Sequence, residues 1–145
     1  MGTGPMIPKV PVGEDWERLV ICRFEADLSA AGKARRRVGE VLRGWGHDAL
    51  EDDAALCVSE LVTNALNCGA TEIRVLVELH TDVLVEVAVW DDGPGCPELQ
   101  NPDESCETGR GLGIVQALST SWGKHGSADG GKTVWARFVS LGADA

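Results

Sequence analysis

Basic charge is scarce in this 145-residue chain: 13 Lys plus Arg stand against 23 Asp plus Glu, a formal net charge of -10. That balance argues against direct nucleic-acid binding, whose affinity comes from a basic face that neutralises phosphates. It also means that any bound nucleotide has to be captured by local devices, because the global field repels it. Backbone amides, a metal ion and one or two arginines are the candidates. No apolar run approaches the ~20 residues a membrane span needs, and no basic start followed by an apolar core marks a signal peptide. A cytoplasmic protein is the expectation. The five cysteines, Cys22, Cys57, Cys68, Cys96 and Cys106, lack CxxC spacing and an accompanying His cluster, which speaks against zinc and against a disulfide framework. Free thiols in a reducing cytosol are expected, with a Cys96–Cys106 bridge across a loop as the other reading. There is no internal repeat, and the length suits one domain with a real core.

What is present sorts into alternating elements. Residues 1–17 are rich in Gly and Pro and read as a flexible N-terminal arm. A single domain then spans 18–141, followed by a tail at 142–145. Leu19 to Ala26 reads as a first strand. Ser29 offers an N-cap for a helix through about Arg43, closed by Gly44 and Gly46. That helix carries Lys33, Arg35, Arg36 and Arg37, either a solvated face or a docking patch for an acidic partner. Asp48, with Glu51 three residues on, makes a capping-box-like start to a central helix that Gly69 ends. Period-2 runs at 73–79 and 83–90 fit an antiparallel hairpin, Leu112 to Leu118 a short third helix, and 121–126 with 133–139 a second hairpin turning at Asp129-Gly130-Gly131. Helices grouped on one face of a mainly antiparallel mixed sheet give an α+β, two-layer sandwich.

Three stretches carry chemistry. In the central helix, Leu56, Val58, Leu61, Val62, Ala65 and Leu66 recur at helical spacing, while Glu60 and Asn64, four apart, share one face beside that stripe. Burying such groups without partners is costly, so they lie at a solvent edge or face a polar ligand. Next, Asp91-Asp92-Gly93-Pro94-Gly95 closes a strand. It is either a plain turn or a device in which Asp91 accepts from an exocyclic amine while Gly93 and Gly95 admit a flat ring. Finally, Gly109-Arg110-Gly111-Leu112-Gly113 runs into a helix, where free amides and the dipole suit an anion and Arg110 would add a charged contact. The ending Gly-Lys-Ser/Thr of a P-loop is missing there, and no GxGxxG follows the first strand.

In that order and separation, Glu60-x-x-x-Asn64-Ala65, Asp91-x-Gly93-x-Gly95 and Gly109-x-Gly111-Leu112-Gly113 resemble the N, G1 and G2 boxes of the GHKL (Bergerat-fold) ATPases. The short lid and opening helix pair are most similar to the bacterial anti-sigma-factor serine/threonine kinases, and the likeness spans roughly 19–139. It implies ATP and Mg2+ as ligands, with Glu60 as general base, Asn64 on the metal and Asp91 on the adenine amine. Gly111, Leu112, Gly113 and Arg110 would serve the phosphates, and Thr133 would lie near adenine. A first-helix arginine, Arg35 foremost, would contact protein partners. The partners implied are a sigma factor and its antagonist, with a homodimer also admitted. A non-catalytic ATP-binding switch that sequesters a partner without turnover is the alternative. Two departures stand out: Cys68 where many relatives carry histidine, and an acidic lid with Glu98, Asp103, Glu104 and Glu107.

Overall fold

Alternation along the strands decides which face of the sheet meets the helices. In the computed structural model, which describes residues 18–93, 106–126 and 130–140 and the side chains of all of these except 106–111, β1 (Leu19–Glu25) exposes every second residue. The strands β2 (Glu72–Thr81) and β3 (Leu84–Asp91) bury Ile73, Val75, Val77, Val85, Val87 and Val89 on one face. With β4 (Ser121–Gly126) and β5 (Lys132–Val139) they form one five-stranded sheet of order β1-β2-β3-β5-β4. Each of its four pairings is antiparallel, so the described sheet is antiparallel throughout rather than mixed.

Three helices close that apolar face. From α1 (Ala30–Gly44) come Ala30, Ala34, Val38 and Leu42, and from α2 (Glu51–Asn67) come Ala54, Val58, Leu61, Val62 and Ala65. The helix α3 (Cys106–Leu118) adds Val115 to the same cluster. Burying the Val, Leu and Ile side chains among these contributes about 1.5–3 kcal/mol each, which holds the strands in register against the helical layer. The opposite face has no helix among the described residues. It is covered in part by Arg74 stacked 4.6 Å from the Trp90 ring and Arg137 stacked 4.9 Å from that of Trp135.

Local signals were honoured unevenly. Ser29 is the N-cap of α1, yet its hydroxyl donates to Asp27 Oδ1 at 2.5 Å and accepts from no amide of the helix. The capping box at Asp48 does not form: 48–50 is a 3-10 turn, Leu50 is the N-cap of α2, and the Glu51 carboxylate bonds Arg43 of α1 instead. A charged partner across the α1–α2 seam outcompetes the backbone of its own turn. Gly69, at φ 88°, does terminate α2 as expected. His47 is buried, with Nδ1 2.8 Å from Ser140 Oγ, and serves packing. The cysteines differ from expectation. Cys22 and Cys57 are free, but Cys68 at the C-cap of α2 is disulfide-bonded. Spacing along the chain says nothing of what a helix end meets in space, and a Cys96–Cys106 bridge falls on side chains outside the described set. Burial pushes the Cys57 thiol up to about 12, so it stays protonated.

Candidate functional site

Two neighbouring carboxylates at the end of β3 are sent to opposite sides by the pleat. Asp92 is exposed and ties the strand end to the start of β2. Its oxygens accept from the Thr71 and Glu72 amides at 2.8 and 2.9 Å and from the Thr71 hydroxyl at 2.5 Å. The Thr71 hydroxyl and these amides draw its pKa down from the ordinary carboxylate range to about 2. A carboxyl with a depressed folded value stabilises the fold above its unfolded pKa and loses that contribution as pH falls through the folded one. In thermal melts, wild type should therefore exceed Asp92→Asn above pH about 4, and the gap should close toward pH 2.

Asp91 faces the helical layer and its side chain is only 3% exposed. Its Oδ1 accepts from the Gly93 amide at 2.8 Å and from Lys132 Nζ at 3.0 Å. Its Oδ2 has no partner among the described residues. A buried carboxylate oxygen left unbonded is costly, so this atom points to a ligand.

Glycines hold the surroundings tight. A Cβ at Gly93 would stand 3.0 Å from Asp91 Oδ1 and 3.2 Å from both Cys68 O and Ala70 N. The space where a Cβ would stand is filled by the α2–β2 turn, so the bare Cα of Gly93 is needed by the protein's own backbone. At Gly131 a Cβ would fall 2.5 Å from Asp91 O and Trp90 Nε1, which keeps β5 flush against the strand end. Gly95 lies outside the described residues.

The strand parity also moves one assignment. Thr133 pairs with Trp90 and stands on the outer face, away from Asp91. The residue opposite Asp91 is Lys132. Sequence reasoning missed it, though the signal existed: Ala136 and Phe138 are apolar and inward, and counting back by twos from them gives Lys132, not Thr133.

On α2, Glu60, Asn64 and Cys68 form a row at four-residue spacing, and the row ends where Cys68 O abuts Gly93. Glu60 and Asn64 are both half-buried and make no side-chain hydrogen bond among the described residues. An acid, an amide and the Asp91 carboxylate are thus set along one helix and the strand end it touches. These oxygen donors suit a hard cation and a polar ligand.

The glycine-rich segment differs from its expected form. Helix α3 begins at Cys106, so Gly109, Arg110, Gly111, Leu112 and Gly113 lie within it rather than before it. Amides of residues this far in are committed to the helix, and a free nest at Gly111 to Gly113 is not formed here. Leu112 is half-buried against the core and Gly113 has open space around it. The Arg110 side chain is outside the described set.

Arg35 Nη1 donates to Ser59 Oγ at 3.2 Å, across the α1–α2 seam. Around it a cleft of about 330 Å³ is lined by Arg36, Glu40, Arg43, Glu51, Asp52 and Leu56. The basic patch of the sequence is thus interleaved with acids. Arg37 pairs with Glu40 and Arg43 with Glu51, while Arg35 and Arg36 carry no ion pair among the described residues.

Comparison with known proteins agrees with this architecture. The solved structure of the RsbU and RsbW domains of Rv1364c from Mycobacterium tuberculosis superimposes with a TM-score of 0.59 at 23% identity, over 83% of this chain and 31% of that one. The chain therefore spans about a third of the length of that solved relative, and the likeness is one of fold. No curated protein sequence matches it. The family profile described as Histidine kinase-like ATPase domain matches residues 24–138, from β1 through β5 and so across every element that builds the site. By that match the chain belongs to the histidine kinase-like ATPase domain family.

Proposed function

We propose that this chain is an ATP-dependent serine/threonine protein kinase that also acts as an anti-sigma factor, passing the γ-phosphoryl of Mg-ATP to an antagonist protein. The observation that carries the reading is the Asp91 carboxylate, 3% exposed, with Oδ2 unbonded among the described residues. An exocyclic adenine amine is a donor of the right kind for that atom. Family membership and the fold shared with a chain containing an RsbW domain support the same reading.

The remaining roles follow from position. Asn64, half-buried and with no side-chain hydrogen bond among the described residues, would hold Mg2+ through its amide oxygen. Mg2+ supplies charge neutralisation at the phosphates when bound. Glu60, one turn earlier, would take the proton of the attacking hydroxyl. Gly111, Leu112 and Gly113 would offer their amides to phosphate oxygens once the first turns of α3 open. Arg35, without an ion pair among the described residues at the α1–α2 cleft, would meet an acidic partner surface.

A non-catalytic switch that binds ATP and a partner gains support from α3, whose glycine segment is helical and not arranged as a nest. Calorimetric titration with Mg-ATP tests the shared part, with one saturable site expected. Incubation with an antagonist domain and γ-labelled ATP then tests transfer. Absence of binding heat across the millimolar range, with no protection from thermal unfolding, would end both readings.

A further inference from the structure

We propose that Lys132 is a second base-reading residue, its ammonium donating to the ring nitrogen next to the amine that Asp91 accepts from. The inference rests on the nucleotide reading above and deepens it by naming what sets base recognition. In the register of the sheet Lys132 stands directly opposite Asp91, and its Nζ is 3.0 Å from Asp91 Oδ1. An ammonium has three N–H donors, and among the described residues only one of them is engaged. The carboxylate, likewise, has one oxygen engaged twice and the other unbonded among the described residues. Among the described residues, the pair therefore presents an unbonded acceptor beside unengaged donors at one strand end.

Adenine has the complementary edge, since its amine, a donor, adjoins N1, an acceptor. Asp91 Oδ2 can take the amine while Lys132 donates a hydrogen bond to N1. Exposure fits this division: the Asp91 side chain is 3% exposed and that of Lys132 28%, so the ammonium reaches the open side of the pair.

Charge favours it as well. In a chain of net charge -10, a buried carboxylate alone would add to the repulsion of a nucleotide. Lys132 cancels that charge at the point of contact, and a base meets a local dipole instead of an anion. A salt bridge made only for stability gains little where one partner is part-exposed, and a hydrophobic pair would fill the same strand position at less desolvation cost.

Binding of ADP, 1-deaza-ADP and 7-deaza-ADP, each with Mg2+, to the full chain and to Lys132→Met decides the matter by calorimetry. The 1-deaza compound keeps the amine and loses the N1 acceptor, and the 7-deaza compound alters the other edge. Wild type should bind 1-deaza-ADP about ten- to a hundredfold more weakly than ADP, a charge-assisted bond lost, and 7-deaza-ADP within about threefold. In Lys132→Met the penalty for 1-deaza-ADP should vanish. Equal affinity of wild type for ADP and 1-deaza-ADP overturns the assignment, and needs no variant to fold. The assignment fails equally if the penalty persists undiminished in Lys132→Met, or if that variant binds ADP more tightly, for then the ammonium competes with the base. Failure of all three nucleotides to bind wild type strikes instead at the nucleotide reading itself.

Discussion

Asp91→Asn should weaken Mg-ATP binding by about ten- to a hundredfold, the equivalent of the ~1.5–3 kcal/mol that a hydrogen bond to a charged group contributes. The substitution keeps size and shape and changes two things. An amide can place its NH2 where the adenine amine approaches, donor against donor. It also leaves the Lys132 ammonium, now 3.0 Å from a carboxylate oxygen, without a counter-charge. The second effect lowers fold stability too, so affinity has to be measured well below the melting point of the variant. Asp92→Asn is the matched control, because that side chain is exposed, engaged with Thr71 and Glu72 on the other side of the strand end, and should leave binding unchanged. A shift of less than about threefold in Asp91→Asn would remove the carboxylate from base recognition.

The adjacent pair Asp91-Asp92 shows what a sequence can and cannot supply. Alternation of Val85, Val87 and Val89 places Asp91 on the buried face and Asp92 off it without any structure. Glu60 and Asn64 were equally readable, since four-residue spacing in a helix puts both on one side. The sheet, its order of elements and the α2 terminator at Gly69 follow from period and glycine in the same way.

What failed depended on competition in space. Glu51 had a local role in a capping box and took Arg43 of another helix instead. At Gly93 the bare Cα lets the α2–β2 turn pass, a use that its place in the motif does not announce. The Gly109–Gly113 segment has breaker residues that predict a late helix start, yet α3 begins at Cys106. Packing of α3 on α2, with Val115 and Leu112 in the core, pulls the segment into helix where propensity alone would stop it. Lys132 was hidden by a one-residue shift: the motif threonine was sought at Thr133, while the pleat delivers its neighbour.

Glu60→Ala should separate the enzyme from the switch. The side chain is half-buried with no hydrogen-bond partner among the described residues, so its removal breaks no described hydrogen bond or ion pair and should leave Mg-ADP affinity within about threefold of wild type. If Glu60 accepts the proton of the attacking hydroxyl, single-turnover transfer from γ-labelled ATP to an antagonist domain should fall by about a hundred- to ten-thousandfold, the range over which general bases act. Asn64→Ala gives the complementary pattern, with loss of Mg2+-dependent binding and of transfer together. A wild-type rate in Glu60→Ala would mean that positioning and charge alone carry the reaction and that the carboxylate has another use. Should wild type bind ATP yet transfer to no antagonist domain, Glu60→Ala would be silent in every assay. The acid on α2, unbonded among the described residues, would then belong to partner contact instead.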